Sequence, residues 1–529
     1  MPQMRSRREQ VDAHRFITSR MNQALVLANP DSVERPLRRI GVSIFASVMI
    51  MVIIFAGFAI AALFNKGNDE PMANHIILEK GTNAIYVYTT KSGGEPTEND
   101  PLKLWPVANY TSALLLLQPY DGEPPVQELK PESLSGLPKG FLVGIEGAPP
   151  SPPLPDDLLQ GELWNVCSSP RTEGGHHYLV QVLVAQADDE DMPPAAPLGE
   201  DWLLAETPEG ARYLLTGDRK YRITDEAFFD KMRMDVDDVV TVKKEVIDTI
   251  TAGPDLQYTV REEFKEPRTP SGIVVDGIEL DYGQTVVQGT DFYTIIKEGD
   301  APVFAPISDV MRALMEPDLG YGDTVEINSS LLTQYGAQGE YETGDFPKTV
   351  PEEPRTLSGE RPAVCSTFDP AGVEDGNTDM TIGVYDNAPK MVTDGAESVE
   401  MDGEGNIIGT GNPIAHTVLP AGSAALVSPL RTGQTVKSVM FLVHSQGYKY
   451  GLKDSGVEYG TTKKLLGYGS VEPVGIPDAV LALIQAGAVL DPVEARSELD
   501  PTGESQQEFE SGEETPEGSE SSAAAEGGE

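Results

Sequence analysis

Two cysteines, Cys167 and Cys365, and six histidines at positions 14, 75, 176, 177, 416 and 444 are the obvious candidates in this 529-residue chain for nucleophilic, redox or metal chemistry. A zinc site needs four such ligands at close spacing, and no CxxC or HxxxH pattern accompanies the cysteines. His176 and His177 open the apolar run YLVQVLV, which reads as a strand edge rather than a ligand pair. His416 stands near Ser423, but one histidine beside one serine is not a triad, and the GxSxG elbow is absent. GYGSVEPVG and YGTTKK lack the GxxxxGK[ST] spacing that wraps backbone N–H groups around phosphate, so loops of a β protein account for them. The acidic run 188–191 (DDED) could hold calcium weakly. It lacks the alternating aspartates and glycine of a loop built for that ion, and a solvated loop accounts for it. No catalytic residue, metal ligand or cofactor-binding residue is nominated, and no cofactor is expected.

Repetition says more about the elements that carry these residues. VIDTITAGPDL (246–256) and VLALIQAGAVL (480–490) agree at five of eleven positions. Each closes a longer unit, RYLLTGDRKYRITD through VVTV in the first and VMFLVHSQGYKYGLKD through VEPVGIP in the second. Val246, Ile247 and Ile250, like Val480, Leu481 and Ile484, have the spacing of one helix face. Pro477 suits a first helical turn. Gly253 and Gly487 then sit where a helix takes a left-handed residue, with Leu256 and Leu490 folding back on it, and 486–490 is expected to be buried. Each unit reads as a β-β-β-α module. Weaker relatives lie at 84–117 and 291–315. Between them VQELKPESLSGLPKGFLVGIEGAPPSPPLP, HYLVQVLVAQ, TDMTIGVYD and HTVLPAGSAALVSP read as a separate β-rich core.

Composition bounds the rest. The length predicts two to four domains, and 42 prolines with 52 glycines favour short strands and turns. With 84 acidic against 39 basic residues, the net charge of -45 excludes a nucleic-acid surface. Residues 40–64 contain no charge and as a helix span roughly 37 Å, enough to cross a bilayer core with some tilt. Eight arginines against four acids precede them, so residues 1–39 are expected in the cytoplasm and the remainder outside. A cleaved signal peptide, helped by Ala56, Ala59 and Ala61, is the rival reading, but the leader and the apolar run both exceed its usual dimensions. Both cysteines then lie where thiols oxidise. A bridge would close a loop of about 200 residues, worth at most ~5 kcal/mol; two unpaired buried thiols are the alternative. In the arm, Ala13, Phe16, Ile17, Met21, Ala24, Leu25 and Ala28 recur at helical spacing, an amphipathic stripe that favours a protein partner over the lipid surface. From Ser497 the chain carries eleven acids and no base, a tail expected to be disordered.

AHRF (13–16), ALV (24–26), the single span, LWPVANYTSA (104–113), GLPKGFLVGIEGAP (136–149), WNVCSS (164–169), Cys365 and IPDAVLALIQAGAVLDP (476–492) occur in one order along the chain. That layout resembles the EccB component of the type VII (ESX) secretion machinery of actinobacteria, from about residue 9 to 496. The resemblance implies a membrane-embedded structural subunit whose arm meets the other membrane components, including an EccC-like motor ATPase and an EccD-like multi-span protein; an EccE-like protein, where present, and a mycosin-like protease are further partners. It implies an outer part that dimerises, contains repeats like endolysin wall-binding modules, and is held by a disulfide, here Cys167 with Cys365. An ATPase activity is sometimes assigned to the family, but the sequence offers no phosphate-binding motif for it. The alternative is a membrane-anchored surface hydrolase or peptidoglycan-binding protein.

The expected fold class is α+β, mostly β: one N-terminal transmembrane helix, then an elongated extracytoplasmic region of a β-rich core and about four β-β-β-α repeats. The segments are an arm at 1–39, the span at 40–64 and repeats at 65–130, 208–257, 280–330 and 437–492. The core is expected at 131–207 and 331–430, and the tail at 497–529.

Overall fold

The structure, a computed structural model, describes residues 7–27, 36–64, 70–171, 177–186, 188–225, 227–235, 238–258, 264, 268–321, 324–337, 341, 346–375, 379–431, 434–435 and 438–500. His176 and the acidic tail beyond Asp500 lie outside these residues. The chain divides into two compact units, 1–70 and 71–529.

The first unit contains two helices, Arg7–Leu27 and Pro36–Phe64. In the second, side chains are described over 42–56, all exposed. Among the described residues no helix is long and apolar enough to cross a membrane.

The second unit is mostly β. A central six-stranded sheet runs in the order His416–Val418, Tyr178–Ala185, Leu163–Pro170, Ala363–Phe368, Thr381–Tyr385, Ala196–Pro197. Strand alternation gives it two buried faces. Trp164, Val166, Val182, Val184, Val364 and Val384 point to one; Cys167, Leu183, Ala185 and Cys365 point to the other, under helix Lys390–Glu397.

Besides a hairpin of Pro270–Val275 with Ile278–Asp281, four further sheets share one wiring. Three antiparallel strands are followed by a helix, a strand parallel to the first, a second helix, and a return beside the third. In the first sheet these are His75–Glu79, Ile85–Thr89 and Lys103–Pro106, helix Tyr110–Leu116, Val126–Leu129, helix Pro131–Leu134, and parallel bridges from Lys139 and Val143 to Leu104 and Val107. The second runs through Leu203–Glu206, Arg212–Thr216, Arg219–Arg222, Phe228–Met232, Val240–Thr241, Lys244–Thr249 and Thr251–Ala252. The third takes Thr285–Gln288, Asp291–Glu298, Ala301–Ile307, Asp309–Leu319, Val325–Glu326 and Ser329–Tyr335, then Phe304 N–H donating to the Gly336 carbonyl. The fourth takes Ala424–Arg431, Met440–His444, Tyr448–Leu452, Thr461–Leu465, Val474–Pro477, Asp478–Leu483 and Gln485–Ala486.

This wiring corrects several expectations. PESLSGLPKGFLVG (131–144) and AALVSP, expected in the β-rich core, complete the first and fourth small sheets instead. Similarly, Leu203–Glu206 opens the second sheet ahead of residue 208. Parallel partners lie far off in sequence, so local pattern does not reveal them.

The Ala-Gly pair is not a helix cap. The short helices end at Thr249 and Leu483, and Ile250 and Ile484 are already extended. Pro477 is the residue before its helix rather than part of the first turn. Neither Gly253 nor Gly487 has positive φ. Val246, Ile247, Ile250 and Leu256 are buried, as are Val480, Leu481, Ile484 and Leu490. In 486–490, however, only Leu490 is buried, while Ala486 and Val489 face solvent. An edge strand buries one face and leaves the other to water.

The sheets do not keep separate cores. Residues of the second and fourth, including Val246, Ile247, Val480 and Leu481, pack together against the central sheet. The first and fourth share Val87, Leu114, Leu442 and Tyr450, and the second and third share Trp202, Leu204, Val310 and Leu314.

Candidate functional site: the interaction surfaces

The N-terminal helix carries the residues nominated for partner binding. Ala13, Phe16, Ile17, Met21 and Leu25 all lie on Arg7–Leu27, and all are exposed, Phe16 by 62% and Leu25 by 82%. Spacings of three, four and eight put them along one side of the helix. The Arg20 guanidinium lies 5.4 Å from the Phe16 ring centroid, and the Thr18 hydroxyl donates to the His14 carbonyl at 2.7 Å. The result is an exposed apolar stripe flanked by the Arg20 guanidinium.

The cysteines meet. Cys167 and Cys365 form a disulfide between neighbouring antiparallel strands of the central sheet, Cα atoms 4.1 Å apart and both fully buried. Strand pairing brings 198 residues of sequence separation to one rung of a ladder. The histidines do not meet. His416 sits in an edge strand paired with Gln181, and burial pushes its pKa down. His444 stands edge-on to Tyr450 at 6.4 Å; burial lowers its pKa too. The Ser423 hydroxyl donates to the Pro420 carbonyl at 2.6 Å. Asp191 pairs with Lys390 at 3.2 Å. Among the described residues no group of three or more His, Cys, Asp or Glu is placed to hold a metal. A cleft of about 550 Å³ opens between Tyr178, Lys243, Glu245 and the 401–414 loop. In it the Asp402 carboxylate accepts N–H bonds from Asn406 (2.8 Å) and Glu404 (2.9 Å), which hold its pKa low.

A third constellation escaped sequence reasoning. A Cβ on Gly253 would stand 2.2 Å from the Tyr221 ring, on Gly487 2.5 Å from the Tyr450 ring, and on Gly140 2.1 Å from the Trp105 ring. Each aromatic lies on the third strand of its sheet and each glycine on the segment that returns beside it. The glycine is there so that an aromatic face can lie flat on backbone. In two sheets the preceding lysine also caps the short helix: Lys220 Nζ donates to the Ile247 carbonyl at 2.8 Å and Lys449 Nζ to that of Leu481. A cation at a helix C-terminus satisfies orphan carbonyls. The shared dipeptide Lys-Tyr, in RKYR and YKYG, was the available signal.

The second unit, four like-wired sheets with a disulfide-bridged central sheet, has the character of a scaffold protein, and the first unit carries an exposed apolar helix. The family model described as "Type VII secretion system ESX-1, transport TM domain B" matches residues 4–503, and the chain belongs to that family, EccB. It is therefore a structural component of type VII secretion. The chain is 25% identical over 508 residues to "ESX-3 secretion system ATPase EccB3" of Mycobacterium tuberculosis, covering 91% of this chain and 87% of that one. It is 28% identical over 222 residues to "ESX-1 secretion system ATPase EccB1" of Mycolicibacterium smegmatis, covering 40% and 41%. Its fold is similar to a chain in the structure of an intact ESX-5 inner membrane complex, with TM-score 0.61, 18% identity and 99% of each chain covered. It is also similar to the EccB3 dimer from the ESX-3 core complex, with TM-score 0.59, 19% identity, and 79% and 99% covered.

Proposed function

We propose that the chain crosses the cell membrane once through residues 40–64, with residues 1–39 in the cytoplasm and the sheet-bearing part in the periplasm. There it dimerises and forms the outer part of the export machinery. The uninterrupted apolar run with arginines before it supports that orientation. Under this reading the four small sheets are copies of one packing module, supported by their common strand order. The partners are the other membrane components of the complex: an EccC-like motor ATPase, an EccD-like multi-span protein, an EccE-like protein and a mycosin-like protease.

The observation that carries the proposal is the helix Arg7–Leu27, whose apolar stripe is exposed and therefore calls for a partner. Phe16→Asp with Leu25→Asp places two charges on that stripe. The doubly substituted protein is expected to leave the high-mass complex on a native gel of detergent-solubilised membranes, while its own folding is unchanged. Retention in the complex would refute the docking role. Support for ATP hydrolysis is limited to the names of the relatives, since the sequence carries no GxxxxGK[ST] loop.

A further inference from the structure

The last described residues do not belong to the sheet they follow. Asp491, 1% exposed, accepts the Val493 N–H at 3.0 Å and turns the chain away from the fourth sheet. Ala495 is then fully buried in the core shared by the first and fourth sheets. Gly144 N–H of the first-sheet region donates to the Ser497 carbonyl at 3.3 Å, and Leu499 N–H donates to the Leu142 carbonyl at 2.9 Å. These two bonds frame an antiparallel bridge between Val143 and Glu498. Lys91 pairs with Glu498 at 3.0 Å, both side chains largely exposed.

Arg496 occupies a socket built by the first sheet. Gly93, at φ +77°, forms its wall, and a Cβ there would lie 2.2 Å from a guanidinium nitrogen. The Gln118 amide donates to the Gly93 carbonyl at 3.0 Å and holds that wall in place. Arg496 Nη2 donates to the Leu116 carbonyl at 3.2 Å, whereas Nη1 is buried without a hydrogen-bond partner. The closed arrangement thus sets two main-chain bonds, the burial of the Ala495 methyl and a solvent-exposed ion pair against a desolvated cation that Asp100 attracts but whose hydrogen bonds are only half made. Exposed pairs contribute little, and a buried charge short of partners is costly.

We infer that residues 491–500 form a releasable strap that completes the first sheet, and that the buried guanidinium of Arg496 keeps the closed form close to balance with the open one. Release bares Trp105 and Leu116 and frees the Leu142 carbonyl and Gly144 N–H, main-chain groups able to take an extended strand. An ordinary anchor and a strap held near balance differ in one respect. An anchor is weakened by any loss of the guanidinium. The strap is tightened when an apolar side chain of similar length replaces it.

The test is amide hydrogen exchange with mass spectrometry on the full-length protein in detergent, reading peptides over 85–94, 104–117 and 140–145. Arg496→Met is expected to slow exchange there by about threefold or more, and Gly93→Ala, which crowds the socket, to speed it by about tenfold, with peptides of the second and third sheets unchanged. Exchange in Arg496→Met equal to or faster than wild type would overturn the inference. So would a Gly93→Ala effect spread evenly over the chain. If Gly93→Ala does not fold, the Arg496→Met measurement decides alone.

Discussion

Gly253 and Gly487 work by having no side chain, since each lets a tyrosine ring lie flat against the segment returning beside its strand. Gly487→Ala and Gly253→Ala should therefore each cost about 1–3 kcal/mol, the usual range for overpacking a filled site. Urea unfolding of the sheet-bearing unit, 71–529, measures this. The cause is separable from backbone conformation: in a Tyr450→Val background, destabilised by its own lost core packing, Gly487→Ala should cost less than it does in the native chain, recovering part of the loss, because the added methyl then has space. A recovery of nothing would return the glycine to a conformational role. The half-buried His416 and the buried His444 give a pH prediction at the same scale. Burial lowers the pKa of His416 and His444 in the folded state, so the unfolded chain takes up protons first as acid is added. Their stabilising contribution is complete above the unfolded value of about 6.5 and is lost as pH falls through the lower folded values. His416→Gln with His444→Gln should flatten stability against pH in that window.

Between elements, the disulfide links strands Leu163–Pro170 and Ala363–Phe368. Half of the central sheet comes from sequence before the second and third small sheets and half from after them, so the bridge closes the chain around both. Cys167→Ser with Cys365→Ser should lose about 2–4 kcal/mol, less than the ~5 kcal/mol ceiling for so long a loop, since strand pairing already holds the same rung. Because both sulfurs are fully buried, a thiol reductant should act only once the unit opens. Thiol labelling against urea concentration reads both effects. The bridge was within reach of sequence reading as one of two alternatives. Deciding between them needed the register, Cys167 opposite Cys365, which no local pattern encodes.

Across the whole molecule, the cores run from sheet to sheet, and the third small sheet is the most weakly tied. It reaches the second through Val310, Ala313 and Leu314 and through Lys231, whose ammonium bridges Asp225 at 2.7 Å and Asp318 at 2.6 Å. Desolvation alone would lower the Lys231 pKa, but the two carboxylates outweigh it and raise the value. Lys231→Ala strands two carboxylates at that junction and should cost about 2–3 kcal/mol there. In calorimetry it should split off an early transition, leaving the main one in place. A single transition shifted as a whole would mean that the sheets unfold as one body.

Sequence alone determined the amphipathic arm, the uncharged 40–64 run, the mostly β character, the doubled AG segment and the family, because periodicity, charge and ordered motifs are local properties. VVTV, YLVQVLV and MFLVH read directly as strands for the same reason. Tertiary structure alone decided that Val126–Leu129 lies beside His75–Glu79, that Ala424–Arg431 opens the fourth small sheet, and that Arg496 sits in a socket some 400 residues upstream. It also decided what the Ala-Gly pair does. Pairing partners and close approach are set by atoms distant in sequence, and a glycine that makes room for a ring reads, in one dimension, like a glycine that ends a helix.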